Sequence, residues 1–121
     1  MASVTIDFVA RELPHGGWGM IIVEEGPWEQ QQIESNLRRL QERMYSCIDA
    51  ALNGDFAAAF PGSVGKPVLI QLDAYNVPEL ELRSFFKRFA SAVLQTPDYA
   101  TALRASNVVP NIEFALNVER I

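Results

Sequence analysis

Ile112-Glu113-Phe114-Ala115-Leu116-Asn117-Val118-Glu119 places a large apolar side chain at every second position. That is the period of a half-buried strand, with Ile112, Phe114, Leu116 and Val118 on one face and Glu113, Ala115, Asn117 and Glu119 on the other. The segment KPVLIQLD at 66–73 is built alike, with Val68, Ile70 and Leu72 on one face and Leu69, Gln71 and Asp73 on the other. Two such strands predict a sheet covered on one side only.

The covering layer lies in the intervening segments. Ile33, Leu37, Leu40, Met44, Cys47 and Ala51 recur at steps of three and four, with Ile48 and Leu52 widening the stripe. This predicts an amphipathic helix over 27–52, opened by Gly26-Pro27 and closed by Asn53-Gly54. Asp55 to Phe60 can add a helical turn before Pro61-Gly62. Leu82, Phe85, Phe86, Phe89 and Val93 mark a second helix reaching to about residue 94, with Asn76 and Glu79 as a capping-box-like start and Pro78 in its first turn. Thr96-Pro97-Asp98 signals a shorter helix over 99–104. Upstream, Val4, Ile6 and Phe8 alternate with Thr5 and Asp7 as a first strand, and the β-branched run at 17–25 is a second. Leu13-Pro14-His15-Gly16-Gly17 supplies the turn between them.

The order ββαβα(α)β predicts an α+β fold: a two-layer α/β sandwich with a four-stranded mixed sheet, two main helices on one face and a single domain over 1–121. Right-handed crossovers give strand order 1-2-3-4 with the first strand antiparallel at the edge; order 2-1-3-4 keeps the same layers.

Composition narrows the function. The 121 residues include one Cys, so no intramolecular disulfide forms. No run approaches the roughly 18 apolar residues of a membrane span, and Asp7, Arg11 and Glu12 stand where a signal peptide needs its apolar centre, which points to a cytoplasmic protein. The net charge is -5; residues 1–60 hold nine acids and four bases, residues 61–121 six of each. Such a field repels phosphate backbones and anionic lipid, so neither nucleic acid nor a membrane is expected as a partner. Arg38, Arg39 and Arg43 form the densest basic group, but Glu34 and Glu42 interleave with them at helical spacing, the pattern of a salt-bridged solvated face.

Catalytic signals are sparse. Gly62-Ser63-Val64-Gly65-Lys66 differs from a phosphate-binding loop in having Phe60 where a Gly is needed and Pro67 after the Lys, and it runs from helix into strand. His15 lies in a loop with no nucleophile or carboxylate placed beside it by a recognisable motif. Cys47 falls on an apolar helix stripe, where a thiol is a small hydrophobe. The spacing of His and Cys provides no metal site, and no cofactor is expected. The main constellation is the uncovered sheet face, where Asp7, Leu69, Gln71, Glu113 and Asn117 form an acidic band with an apolar centre. Its bland reading is a solvated surface; its sharper one is a contact surface for a protein partner, either a basic protein or a second copy. Trp18 and Trp28 bracket the second strand, and Trp28 reads as a packing anchor. The alternative is a small-ligand protein or enzyme with His15, Asp73 and Tyr75 near the hairpin loop and the end of the third strand. A helix over 27–52 would also overhang the sheet, and either a homodimer or the short helix at 99–104 folded over the overhang would cover the excess apolar stripe.

Val4-Thr5-Ile6-Asp7-Phe8-Val9, Trp28 ahead of a long helix, and the AlaLeuAsnGlyAsp, AlaPheProGly and GlyLysProValLeuIleGlnLeu segments resemble a family of small uncharacterised bacterial proteins known only as a domain of unknown function. The resemblance covers roughly residues 4–73; the LeuProHisGlyGly loop and the 99–111 segment look longer than usual for the family. It implies a bacterial origin, a small α/β sandwich and no established activity, and carries over no catalytic residue.

Overall fold

The computed structural model describes residues 8–121. Four strands, β1 (Val9–Glu12), β2 (Trp18–Glu25), β3 (Val68–Tyr75) and β4 (Ile112–Glu119), form one sheet in the order β1-β2-β3-β4. β1 is antiparallel to β2, whereas β2, β3 and β4 run parallel. This is the two-layer α+β arrangement with the first of the two expected strand orders. The alternation expected at 4–8 falls mostly outside the described residues; Phe8 is described and packs on Phe56.

The register puts Ala10, Met20, Ile70 and Phe114 in one row, and Ile22, Leu72 and Leu116 in another, on the covered side. Above them lie α1 (Ile33–Asn53) and α3 (Glu79–Ala92), with the shorter α2 (Asp55–Ala59) and α4 (Pro97–Ala105) at their ends. Met20, Ile22, Leu40, Met44, Ile48, Ile70, Leu72 and Leu82 are almost fully enclosed between the layers. Phe56, Phe60 and Trp18 close one end of this core, and Tyr45, Phe89 and Phe114 form an aromatic chain across the helix layer.

Two helix starts differ from expectation. Pro27 does not open a helix: the chain stays extended through Glu29 (φ -74°, ψ 155°), makes a 3-10 turn at Gln30–Gln32, and becomes α-helical only at Ile33. The extended segment carries the chain from the end of β2 to the helix layer and brings Trp28 against the core. Asn76 does not cap α3 either. Pro78 takes the N-cap, and Glu79 pairs forward with Arg83 Nε at 2.7 Å. Asn76 sits in the left-handed region (φ 59°), which its short polar side chain tolerates. From there it closes the C-terminal ends of the strands: its N–H donates to the Glu119 carbonyl at 2.9 Å, and its Oδ1 accepts from the Ile121 N–H at 3.0 Å. Gly26 passes so near that a Cβ there would fall 2.0 Å from the Asn76 carbonyl oxygen.

At about 1.5 Å per residue the 21-residue α1 spans about 31 Å, against about 26 Å for an eight-residue strand. α1 is thus about one turn longer than the strands, and Leu37 and Trp28 near its N-terminal end are partly buried against the core. α4 lies along the other half of α1, where Tyr99 stacks on Tyr45 and donates to Asp49 Oδ1 at 2.8 Å.

Candidate functional site

Strand register determines which side chains share the uncovered face. Its rows are Val9-Ile21-Gln71-Ala115, then Val23-Asp73-Asn117, then Glu25-Tyr75-Glu119, with Arg11, Gly19, Leu69 and Glu113 at the other end. On β2, Ile21 and Val23 lie on this face, while Met20 and Ile22 turn to the helices. Val9 is 60% and Val23 43% exposed, whereas Ile21 between them is 8% exposed and Leu69 is half-buried, so the open apolar surface of this face is Val9 and Val23.

Asp73 organises the polar part of this face. Its Oδ1 accepts from Gln71 Nε2 at 2.9 Å and from Asn117 Nδ2 at 3.0 Å, tying β3 to β4 through side chains. Residues assigned separately from the sequence, Asp73 as a ligand contact and Gln71 and Asn117 as a contact surface, thus form one cluster. Glu25, Glu113 and Glu119 lie exposed around it, and Arg11 is the one base among the described residues of this face. Asp7 lies outside the described residues.

His15 and Tyr75 do not meet. His15 is exposed in the β1–β2 loop, where Leu13 donates to the Gly17 carbonyl at 2.8 Å. Tyr75 ends β3, seven residues along from Val68, whose partner Trp18 adjoins that loop; at about 3.3 Å per residue the two are about 23 Å apart. Asp73 and Tyr75 share the open face, but His15 belongs to neither. Shallow grooves of about 330 Å³ lie between α1 and α3, over Tyr45, Phe85 and Phe89, and of about 350 Å³ between the ends of α1 and α4; smaller ones of about 200 Å³ lie beside Val9, Ile21 and Val23 and under the β1–β2 loop at Leu13 and Gly16. None of these four is lined by His15, Asp73 or Tyr75.

Sequence reasoning missed one buried polar group. Glu24 follows Trp18, Met20 and Ile22 on the covered face of β2, and its side chain is only 6% exposed. Arg39 and Arg43, one helical turn apart on α1, both donate to its carboxylate, Arg43 Nη1 at 2.9 Å. The expected solvated pairing holds for Arg38 with Glu34 at 3.2 Å, while Arg39 and Arg43 turn inward instead. The signal was present: a carboxylate in the apolar period of a strand requires a buried cation partner. The Glu24 carboxylate also holds the Arg39 guanidinium above its ordinary pKa, against the opposing effect of burial.

Cys47 is 1% exposed, and burial pushes its thiol pKa up to about 12, partly opposed by Arg43. A thiol held protonated is a poor nucleophile. Among the described residues no three His, Cys, Asp or Glu side chains cluster as a metal site would need, and no helix is long and apolar enough to cross a membrane. No family model matches the chain, and neither a curated protein nor a solved structure matches it.

Proposed function

We propose that this chain is a non-enzymatic protein-interaction domain that uses its uncovered sheet face to bind a basic partner. The supporting observation is the pairing of exposed apolar side chains, Val9 and Val23 flanking Ile21, with four carboxylates, Asp73, Glu25, Glu113 and Glu119, against the single base Arg11 among the described residues of this face. An apolar centre with a polar rim is the anatomy of a contact surface, and the sign of the rim selects the partner. A second copy laid face to face would set these carboxylates against their own kind, so a cationic surface fits this face better. The separation of His15 from Asp73 and Tyr75 favours this reading over a single ligand site built from all three.

An extended peptide alternating Arg and Val is a direct probe. Titrated into ¹⁵N-labelled protein, it should shift the amides of Ile21, Val23, Gln71, Asp73, Ala115 and Asn117, and the effect should fade at about 1 M salt, where the Debye length falls to about 3 Å. Asp73→Asn with Glu119→Gln should weaken binding without altering the fold. Shifts confined to α1 and α3, or equal shifts with a Glu-Val peptide, would refute the proposal.

A further inference from the structure

We infer that β4 is a dimerisation edge, pairing antiparallel with β4 of a second copy so that Ala115 meets its own counterpart on the two-fold axis. Among the described residues β4 pairs only with β3. The Val68 N–H donates to the Asn111 carbonyl and the Asn76 N–H to the Glu119 carbonyl, so odd-numbered residues of this strand turn their backbone groups toward β3. Ile112, Phe114, Leu116 and Val118 therefore point theirs outward. A row of unpaired donors and acceptors is a template for another strand, and proteins that avoid such pairing interrupt the edge with Lys, Pro, a bulge or shortness. β4 is eight residues long, matches β3 residue for residue without a bulge and contains no Lys or Pro; its two charges, Glu113 and Glu119, fall at positions whose backbone already faces β3.

The occupant follows from the register. Only one antiparallel register pairs all four outward residues with outward residues of an identical strand: Ile112 with the second copy's Val118, and Phe114 with its Leu116, each taken both ways. Each such pair exchanges two backbone bonds. Ala115, the smallest side chain of the strand, then occupies the closest-approach position on the axis. The same register sets Glu113 opposite Asn117 and Glu119 opposite Asn111, so every carboxylate meets an amide. A slip of two residues in total register, centred on Leu116, would instead oppose Glu113 to Glu119 twice. Self-complementarity of charge thus points to a second copy.

The covered side agrees. Phe114, Leu116 and Val118 are only partly buried, whereas Val68, Ile70 and Leu72 on the neighbouring strand are 2%, 1% and 0% exposed. Strand addition would bring Phe114 beside Leu116 of the second copy and extend the apolar layer across the junction. The two-fold axis stands perpendicular to the sheet, so both open faces point the same way. This inference is independent of the basic-partner reading, since it uses the edge and leaves the face open.

Cysteine scanning of β4 tests both the pairing and its register. Non-hydrogen-bonded antiparallel positions bring Cα atoms to about 4.5 Å, within the about 4.4–6.8 Å range of a disulfide. Ala115→Cys should form a covalent dimer under mild oxidation, at least about tenfold faster than Asn117→Cys, whose thiol would face Glu113. Cys47, 1% exposed, does not compete. Light scattering of the unmodified protein should show a mass rising from monomer to dimer with concentration. A monomeric mass at every concentration, or equal cross-linking at positions 115 and 117, overturns the inference, with circular dichroism confirming that each variant is folded.

Discussion

Arg43 Nη1 donates to the Glu24 carboxylate at 2.9 Å and to the Val23 carbonyl at 3.3 Å, joining the middle of α1 to the end of β2. The contact lies where Glu24 would otherwise be a lone charge among apolar neighbours. Glu24→Gln keeps the shape and removes the charge, and should lower stability by about 1–3 kcal/mol. Arg43→Met should cost more than Arg39→Met, because the Arg43 side chain is 22% exposed and that of Arg39 47%. Urea unfolding of the three variants checks the order; equal costs for the two arginines would contradict it.

The layer assignment predicts two large effects. Leu40 is 0% and Phe86 7% exposed, so Leu40→Ala and Phe86→Ala should each destabilise by about 2–5 kcal/mol. Losses below about 0.5 kcal/mol, the range of ordinary surface substitutions, would contradict the packing.

Tyr99 carries a pH dependence. Burial, and then its hydrogen bond to Asp49, raise the phenol above its ordinary pKa. The folded state therefore holds this proton more tightly than the unfolded one. Its contribution is complete below the ordinary tyrosine pKa of about 10 and is lost as pH rises through the folded value. Stability measured from neutral pH upward should fall above about pH 10, and Tyr99→Phe should reduce the slope there. An unchanged slope would show that Tyr99 is not the linked group.

The Cys47 thiol should be almost inert. Burial pushes its pKa up to about 12, so a disulfide reagent at pH 8 should label it only through opening of the structure, and at once in denaturant. Rapid labelling of the folded protein would contradict the burial.

Gly26 tests the closure of the strand ends. A methyl at this position meets backbone, the Asn76 carbonyl oxygen at 2.0 Å and carbon at 2.7 Å, which cannot swing aside as a side chain does. Gly26→Ala should lower the melting temperature, whereas Gly16→Ala meets nothing within 4 Å and strains only its positive φ of 92°. A larger loss at Gly16 would reverse this account.

Much of the architecture is local in origin and was legible in the residues. The two-residue period of Ile112–Glu119 and the stripe from Leu40 to Ala51 each state a side-chain direction that backbone geometry enforces, so the strands, helices and covered face follow without reference to distant residues. Gly54 ends α1 at φ 91° for the same local reason. Helix starts were less legible, because the path from β2 into α1 is decided by where Trp28 must pack, and Asn76 answers to Glu119 and Ile121, far away in sequence.

By itself, then, the sequence determined the element order, the faces and the absence of a recognisable catalytic motif, since all three depend on the identity and spacing of near neighbours. Only the tertiary structure decided that Asp73, Gln71 and Asn117 form one cluster, that His15 lies apart from Tyr75, and that Glu24 draws two arginines inward. Each of these depends on strand register and on how α1 lies over β2, and those are set by the packing of the whole core.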